Sequence, residues 1–369
     1  MTDEDMSMNV ENSVLQRYSE GAQARVEALC CPVDYDSGLL AILPQEIIER
    51  DYGCGDPSRY VREGDVVLDL GSGGGKICYM AAQLVGDSGH VIGVDMNDDM
   101  LVLARRHQDA MAARLGGNRV SFLKGRIQDL ALDVDALSSR LAQHPVRSHA
   151  DYLALAGWEQ LQRRERPLVA SESVDLVISN CVLNLVDDDD KQQLVDEIFR
   201  VLKPGGRIAI ADIISDRIIT PAMKQDPELW SGCISGSFQE QEMLTAFADA
   251  GFTAVCYDKW DARPWRVIDG ITFRSVTLTA LTPQPVAAPG AGRELLYRGP
   301  FAAVTGDDGA DWQRGERRTV TDGTAQLLLQ PAYGGAFIEL SDTPADCSTP
   351  ADPAADGCCS TQQTNRGCC

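Results

Sequence analysis

Apolar and polar positions along the first third of the chain predict a strand, a helix and a second strand in succession. Residues 66–70 (VVLDL) form a short apolar run of the kind found in strands that are buried on both faces. A glycine-rich turn and a helical pattern follow, and a second apolar run, HVIGVD, ends at Asp95. This strand–turn–helix–strand order is typical of a parallel sheet with a crossover helix.

The same patterns divide the chain into three parts and a tail. Residues 1–60 have helical spacing of apolar side chains and predict an N-terminal helical cap. Residues 61–255 predict a Rossmann-like α/β domain, interrupted at about 132–171 by a helical insertion. Residues 256–340 contain short alternating runs, among them FRSVTLTAL, that predict a small β-rich C-terminal appendage. Residues 341–369 turn to Pro, Ala, Asp, Ser and Cys and predict a disordered tail.

The turn after the first strand has the composition of a nucleotide-cofactor site. Gly71 and Gly73 let the backbone bend sharply into a helix and leave its N–H groups open to a ligand. Asp95 stands at the end of the second strand, where a carboxylate can accept hydrogen bonds from both hydroxyls of a ribose. The pattern therefore predicts a cofactor with an adenosine group.

The spacing of the glycines favours S-adenosylmethionine over a dinucleotide. The turn reads G-x-G-x-G, whereas a pyrophosphate is usually held by G-x-G-x-x-G. Asp69 adds a negative charge that would repel a phosphate and attract a sulfonium. From their places in the turn and at strand ends, four further residues are expected to line the cofactor pocket: Ser72, Met96, Ile127 and Asn180.

Charge and composition exclude several classes of protein. With 55 acidic and 33 basic residues the net charge is -22, which opposes a grip on nucleic-acid phosphates. The chain has no apolar run of about eighteen residues and starts with a polar, acidic segment, so we expect neither a membrane span nor a signal peptide, and a cytoplasmic location. In that compartment its 12 cysteines are expected to be reduced thiols for metal, metalloid or redox work.

Three cysteines are placed where they can meet. Cys54 precedes the cofactor strand, Cys181 directly follows a later strand, and Cys233 follows the next one. Because the carboxyl ends of parallel strands converge on one crevice, Cys181 and Cys233 are expected to face the methyl donor, with Cys54 closing over them from the cap. Three thiolates at one point form a soft, three-coordinate site suited to trivalent arsenic. The alternative is that these cysteines are only small buried apolar residues.

Several motifs in order give the chain a specific resemblance. It has CC in the N-terminal cap, then YGCG, ICYMAAQLVGDSGHVIGVDM, SNCVLNL and finally CISG. Over most of residues 13–280 the chain resembles the arsenite S-adenosylmethionine methyltransferases, which are class I S-adenosylmethionine-dependent methyltransferases. The resemblance implies that the chain methylates arsenic as a detoxification reaction.

The resemblance also implies roles for individual cysteines. Cys54, Cys181 and Cys233 correspond to the family's arsenic ligands, and Cys30 or Cys31 to an N-terminal cysteine used in thiol–disulfide exchange. Arsenite or its thiol conjugate is the implied substrate, and glutathione or thioredoxin the implied reductant. Since adjacent cysteines rarely bridge each other, we expect Cys30 or Cys31 to pair with Cys54 or another site cysteine. The long insertion, the WSGCISGSF segment and the divergent C-terminal region depart from the family pattern and leave the number of methyl transfers open.

Two other functions stay open at this point. One alternative is a small-molecule C- or O-methyltransferase whose cysteines are incidental. A third hypothesis is a thiol-rich protein that sequesters metalloids without turnover. The complete set of Asp69, Gly71, Gly73 and Asp95 argues against a protein that has lost its methyl donor.

Overall fold

The computed structural model describes residues 3–23, 33–50, 52–284, 292–307 and 309–340, with side chains from residue 12 onward. Across these residues the helices, in chain order, are α1 (Asp3–Gln23), α2 (Ser37–Leu40), α3 (Gln45–Glu49), α4 (Lys76–Leu84), α5 (Asp98–Arg106), α6 (Gln108–Leu115), α7 (Val134–Gln143), α8 (His149–Glu165), α9 (Lys191–Val201), α10 (Pro221–Lys224), α11 (Pro227–Ser231), α12 (Glu240–Asp249) and α13 (Asp322–Leu328).

The strands of the described residues form one large and two small sheets. They are β1 (Val66–Leu70), β2 (His90–Asp95), β3 (Val120–Lys124), β4 (Val174–Asn180), β5 (Leu202–Ser215), β6 (Phe238–Gln239), β7 (Thr253–Trp260), β8 (Arg266–Ile268), β9 (Ile271–Leu281), β10 (Arg293–Tyr297), β11 (Ala303–Thr305), β12 (Asp311–Gln313), β13 (Arg317–Val320) and β14 (Phe337–Glu339).

The large sheet has the order β3-β2-β1-β4-β5-β9-β7, and β6 and β8 pair with the ends of β5 and β9. Strands β1 to β5 run parallel, and Leu68 in the central strand pairs with Ile92 on one side and Val177 on the other. The predicted Rossmann-like α/β sheet is therefore confirmed. Because chain order reverses direction beside β1, the carboxyl ends of β1 and β4 border the crevice where such folds bind ligands.

The sequence predicted that the α/β domain ends at residue 255, but the large sheet continues beyond that residue. Strands β7 and β9 extend it antiparallel to β5, with Ile210 paired to Leu278. The segment FRSVTLTAL, which the sequence placed in the C-terminal appendage, is most of β9. Alternating apolar residues predict a strand but do not say which sheet it joins, and Val276 and Leu278 are buried in the same core as β4 and β5.

The small β-rich region begins at β10. One sheet has the order β13-β10-β14, and β11 pairs with β12 in a separate hairpin. Its own core packs Trp312, Tyr297 and Phe337 together with α13 residues. We call residues 292–340 the C-terminal unit.

The cap and the insertion are helical. The later part of the cap forms two short helices, α2 and α3, since Pro44 lies between them at the N-cap of α3. Helices α7 and α8 occupy the segment predicted as an insertion. In the described part of the chain, no helix combines the length and apolar composition that crossing a membrane requires.

Candidate active site

The residues expected to bind the cofactor line one cavity. It has a volume of about 1030 Å³, open mouth included, and lies at the carboxyl ends of β1, β2 and β4. All eight predicted residues line it: Asp69, Gly71, Ser72, Gly73, Asp95, Met96, Ile127 and Asn180.

The glycine turn is shaped so that a ligand can approach its backbone. Gly71 and Gly73 have φ angles of 66° and 51°, which L side chains rarely adopt. A Cβ added at Gly71 would also lie 2.4 Å from a Val182 methyl group. The Gly73 N–H donates to Asp95 Oδ2 at 2.8 Å, so the turn and the end of β2 hold each other in place.

Asp95 is available as an acceptor for a ribose. Its second oxygen accepts from the Asn97 N–H at 2.8 Å, and each carboxylate oxygen keeps a lone pair for a ligand. Burial raises the pKa of this carboxyl above its ordinary value. Ribose hydroxyls are neutral donors that stabilise the charged form, so they match this environment.

Ser72 gives a direct sign that the cavity fits a polar ligand. Its hydroxyl is buried and has no hydrogen-bond partner among the described residues. A buried polar atom without a partner is costly, and a ligand in the cavity would supply one. The Ser72 hydroxyl and the buried Asp69 carboxylate both line the cavity. These two groups fit the adenosine and the sulfonium of S-adenosylmethionine.

The three predicted cysteines lie together in one buried cluster. Cys54, Cys181 and Cys233 are 2, 7 and 6% exposed. Cys54 and Cys181 are joined as a disulfide with a Cα–Cα distance of 5.8 Å. The Cys233 thiol donates to the Cys181 carbonyl at 3.3 Å, and Cys181 also lines the cofactor cavity. The cluster and the cavity therefore share a wall.

Asn180 brings Cys54 to the end of β4. Its Oδ1 accepts from the N–H groups of Cys54 and Gly55 at 2.9 and 3.0 Å, and its Nδ2 donates to the Gly55 carbonyl at 2.9 Å. A Cβ at Gly53 would lie 2.1 Å from that amide nitrogen. The glycines of YGCG are thus needed for close approach, and Asn180 serves both the cavity and the cysteines.

The disulfide differs from what the sequence led us to expect. Cys54 is bonded to Cys181, so two of the thiols expected to be reduced are oxidised. Sequence spacing could not reveal this pair, because residues 127 apart meet only through the sheet topology. The expected pairing of Cys30 or Cys31 with Cys54 or another site cysteine stays a prediction. Cys30 and Cys31 lie outside the described residues, as do the cysteines of the tail.

Asp212, which the sequence did not single out, borders the cysteines. A carboxylate oxygen of Asp212, at the end of β5, and the sulfurs of Cys54 and Cys181 all lie within 4.8 Å of one another. Asp212 accepts hydrogen bonds from the Leu183 N–H at 3.0 Å and from Asn184 Nδ2 at 2.8 Å. Burial raises its pKa to about 7. A single acid inside the apolar run IAIADII was the signal available in the sequence.

Helix α1 covers both halves of the site. Asn97 Nδ2 donates to the Leu15 carbonyl at 3.1 Å on the cofactor side. On the cysteine side, Arg17 donates to Ser231 Oγ at 2.9 Å, and the Tyr18 hydroxyl lies 4.0 Å from Cys233 Sγ. Burial raises the pKa of Tyr18 well above its ordinary value, so it is a neutral wall of the site.

The sheet, the glycine turn and the acid at the end of β2 define a class I S-adenosylmethionine-dependent methyltransferase. A methyltransferase domain family matches residues 62–251, and a domain family of unknown function (DUF8838) matches residues 289–367. An arsenite methyltransferase of Aquipseudomonas alcaligenes is 32% identical, over 79% of this chain and 76% of that protein. The arsenite methyltransferase of Mus musculus is 30% identical, over 83% of this chain and 74% of its own length.

A solved structure extends the similarity to three dimensions. The crystal structure of an arsenic(III) S-adenosylmethionine methyltransferase from Chlamydomonas reinhardtii is 28% identical, with a TM-score of 0.56 over 85% of this chain and 97% of that one. The chain belongs to the arsenite methyltransferase family.

Proposed function

We propose that the chain transfers methyl groups from S-adenosylmethionine to arsenic(III) bound by the thiolates of Cys54, Cys181 and Cys233. The observation that carries the proposal is the shared wall: Cys181 belongs both to the buried cysteine cluster and to the cofactor cavity. A substrate held by the cysteines is therefore adjacent to the place expected for the donor's methyl group. Positioning of this kind is the main catalytic device when no proton has to be removed.

The chemistry of the cluster favours arsenic as the substrate. Thiolates are soft ligands, and three of them bind trivalent arsenic while leaving its lone pair free. The donor supplies a methyl group on a sulfonium, and the arsenic lone pair accepts it. The apolar surroundings of the cluster, which include Ile213 and Phe273, exclude water from the bound ion.

The disulfide makes a thiol reductant part of the proposal. Two external thiols, from glutathione or thioredoxin, reduce the Cys54–Cys181 bond to two protein thiols. The external thiols are themselves oxidised to a disulfide in this exchange. Only then are three thiolates available for arsenic. Arsenic also loses two electrons to each methyl group, and a pair of cysteines returns them by forming a disulfide. Cys30 and Cys31 are proposed to relay these electrons.

The direct test is product analysis with purified protein, arsenite, methyl donor and thiol. We expect methylated arsenic from the wild type and none from Cys181→Ser or Cys233→Ser, because a serine hydroxyl is a poor ligand for trivalent arsenic. Cys256→Ser is the matched control, since Cys256 lies in β7 and contacts Thr279. Methylated arsenic from the two site variants would mean that these cysteines are not the arsenic ligands. A wild type that binds the methyl donor but neither binds nor methylates arsenite would favour a C- or O-methyltransferase with incidental cysteines. Arsenite binding without methylated product in the wild type would favour a sequestering protein.

The relay role has a separate test. Cys30→Ser combined with Cys31→Ser should bind arsenite normally but turn over slowly when thioredoxin is the only reductant. If this double variant cycles at the wild-type rate, the two cysteines are not the relay.

A further inference from the structure

The helical insertion contacts the rest of the chain mainly near the C-terminal end of α8. None of the residues of α7 or of the 17-residue α8 is buried. Arg163 near the C-terminal end of α8 donates to Asp129 at 2.9 Å and to Glu159 at 3.2 Å. A helix of about this length is marginal on its own in water and is usually stabilised by packing of one face. The face of α8 that includes Leu155, Trp158 and Gln162 is partly covered, and no residue of the helix is fully buried.

One face of α8 is exposed along its whole length and is largely apolar. Its members recur at steps of three and four residues, which places them in a single stripe: Ala150, Leu153, Ala154, Gly157, Gln160, Leu161 and Arg164. Leu153 is 56% exposed and Leu161 is 42% exposed. A Cβ added at Gly157 would meet nothing within 4 Å. The stripe has the spacing of a helix-pairing seam, with small residues that permit a close approach.

Charge narrows the choice of partner. The whole chain carries a net charge of -22, so two copies repel each other over most of their surfaces. The insertion, residues 132–171, contains five acidic and five basic side chains and is neutral. The insertion is thus a surface at which a second copy meets less of that repulsion than it would elsewhere on the chain.

The stripe is also symmetric about Gly157. Leu153 precedes Gly157 by four residues and Leu161 follows it by four. In an antiparallel pair of α8 helices with a two-fold axis at Gly157, Leu153 of one copy meets Leu161 of the other, twice. His149 likewise meets Glu165, whose carboxylate can accept a hydrogen bond from the imidazole. A two-fold interface requires this kind of self-complementary surface.

We propose that α8 is a dimerisation helix, which pairs antiparallel with α8 of a second copy across Gly157. The pairing buries the stripe, which lies on the face of α8 opposite its partly covered side. It does not depend on the proposed function, because no residue of α8 lines the cofactor cavity or the cysteine cluster.

Sedimentation equilibrium tests the proposal over about a hundredfold range of protein concentration. We expect the average mass to rise toward twice the monomer mass, and the dimer to strengthen as salt screens the net negative charge. Leu153→Lys should weaken dimerisation at least tenfold, since it places a cation against Leu161 of the other copy. Tyr152→Glu is the matched control: Tyr152 is 58% exposed on the same helix but lies off the stripe, and this variant should dimerise normally.

A rescue variant tests the register. Combining Leu153→Lys with Leu161→Glu places opposite charges together in the antiparallel pair and should restore dimerisation, whereas a parallel pair would set like charges against each other. Circular dichroism and binding of the methyl donor show that each variant is folded. A wild type that stays monomeric at every concentration, or a double variant no better than Leu153→Lys alone, would overturn the proposal.

Discussion

At the scale of single residues, Asp95 holds the glycine turn and is the proposed acceptor for the cofactor's ribose. It accepts from the N–H groups of Gly73 and Asn97 and retains lone pairs for a ribose. Asp95→Ala should weaken binding of S-adenosylmethionine by about 2–3 kcal/mol, because two charge-assisted hydrogen bonds are lost. Calorimetric titration measures the change.

The matched control for Asp95 is Asp98→Ala. Asp98 is also an acid near the end of β2, but its side chain is 72% exposed and pairs with Lys124. Asp98→Ala should change the affinity for the methyl donor by no more than about twofold relative to the wild type, as expected when an exposed ion pair is lost. Equal affinities of the Asp95 variant and the wild type would place the adenosine elsewhere.

Asp212 gives a prediction for the pH dependence of stability. Burial raises its pKa to about 7, whereas an aspartate in the unfolded chain titrates near its ordinary value of 3.8. Between these values the folded protein holds a proton that the unfolded chain has released, so this contribution is full below about pH 4 and is lost as the pH rises through 7.

Urea unfolding of wild type and Asp212→Asn, both with the disulfide intact, measures this contribution. The free energy of unfolding of the wild type, relative to that of the variant, should fall by up to about 4 kcal/mol between pH 4 and pH 8. Asparagine does not titrate, so groups common to both proteins cancel. A difference that is independent of pH would mean that Asp212 is ionised in the folded state throughout.

Some residues of the site could be predicted from the sequence, and others could not. The glycines and Asp95 were predictable because a tight turn and a ribose acceptor need those residue types at that spacing. Asn180 was placed in the cofactor pocket, but its three hydrogen bonds to the Cys54 loop were not foreseen. Asp212 and Tyr18 were missed, since their importance arises from contacts with residues distant in the chain.

At the scale of elements, α1 connects the two halves of the site. Asn97 holds it on the cofactor side, and Arg17 holds it against α11, where it donates to Ser231 and to the Glu228 carbonyl. The sequence predicted a helix here but gave no sign of what it covers. Strand β9 shows the same limit, because its apolar pattern was clear while its place beside β5 was not.

Arg17→Met tests whether α1 positions the cysteine side. Loss of two hydrogen bonds to α11 should loosen the helix over Cys233 and raise the arsenite concentration for half-maximal rate by roughly 5–30-fold, as a loss of about 1–2 kcal/mol would do. The affinity for the methyl donor should not change. Gln16→Met is the control, since Gln16 bonds only Glu20 of the same helix among the contacts of its side chain that the structure describes. An unchanged arsenite dependence would mean that α1 merely covers the site.

At the scale of the whole molecule, the C-terminal unit and the tail belong together. One domain family covers residues 289–367, which includes three of the five tail cysteines, Cys347, Cys358 and Cys359. The other two, Cys368 and Cys369, directly follow that range. The composition of the tail predicts disorder, and five thiols on such a segment of about thirty residues are expected to reach local concentrations in the millimolar range at the active site. The sequence shows the thiols but not whether they reach the substrate, because composition does not fix a path for the chain.

Truncation after Leu340 tests the tail. We expect the maximal rate to be unchanged in excess glutathione, because free thiol then delivers the arsenic. When thiol is limiting, the truncated protein should need more arsenite for half-maximal rate. Steady-state assays at low and high glutathione measure both quantities. Identical arsenite dependence of the full-length and truncated proteins would remove the tail from substrate capture.

The central claim is that three cysteines hold arsenic beside the methyl donor. X-ray absorption at the arsenic edge, on reduced protein loaded with one equivalent of arsenite, counts the atoms bound to arsenic. We expect three sulfur neighbours in the wild type and in Cys256→Ser. In Cys233→Ser we expect two, with the third sulfur either replaced by oxygen or missing. Oxygen neighbours in the wild type, or the same sulfur count after Cys233 is replaced, would contradict it.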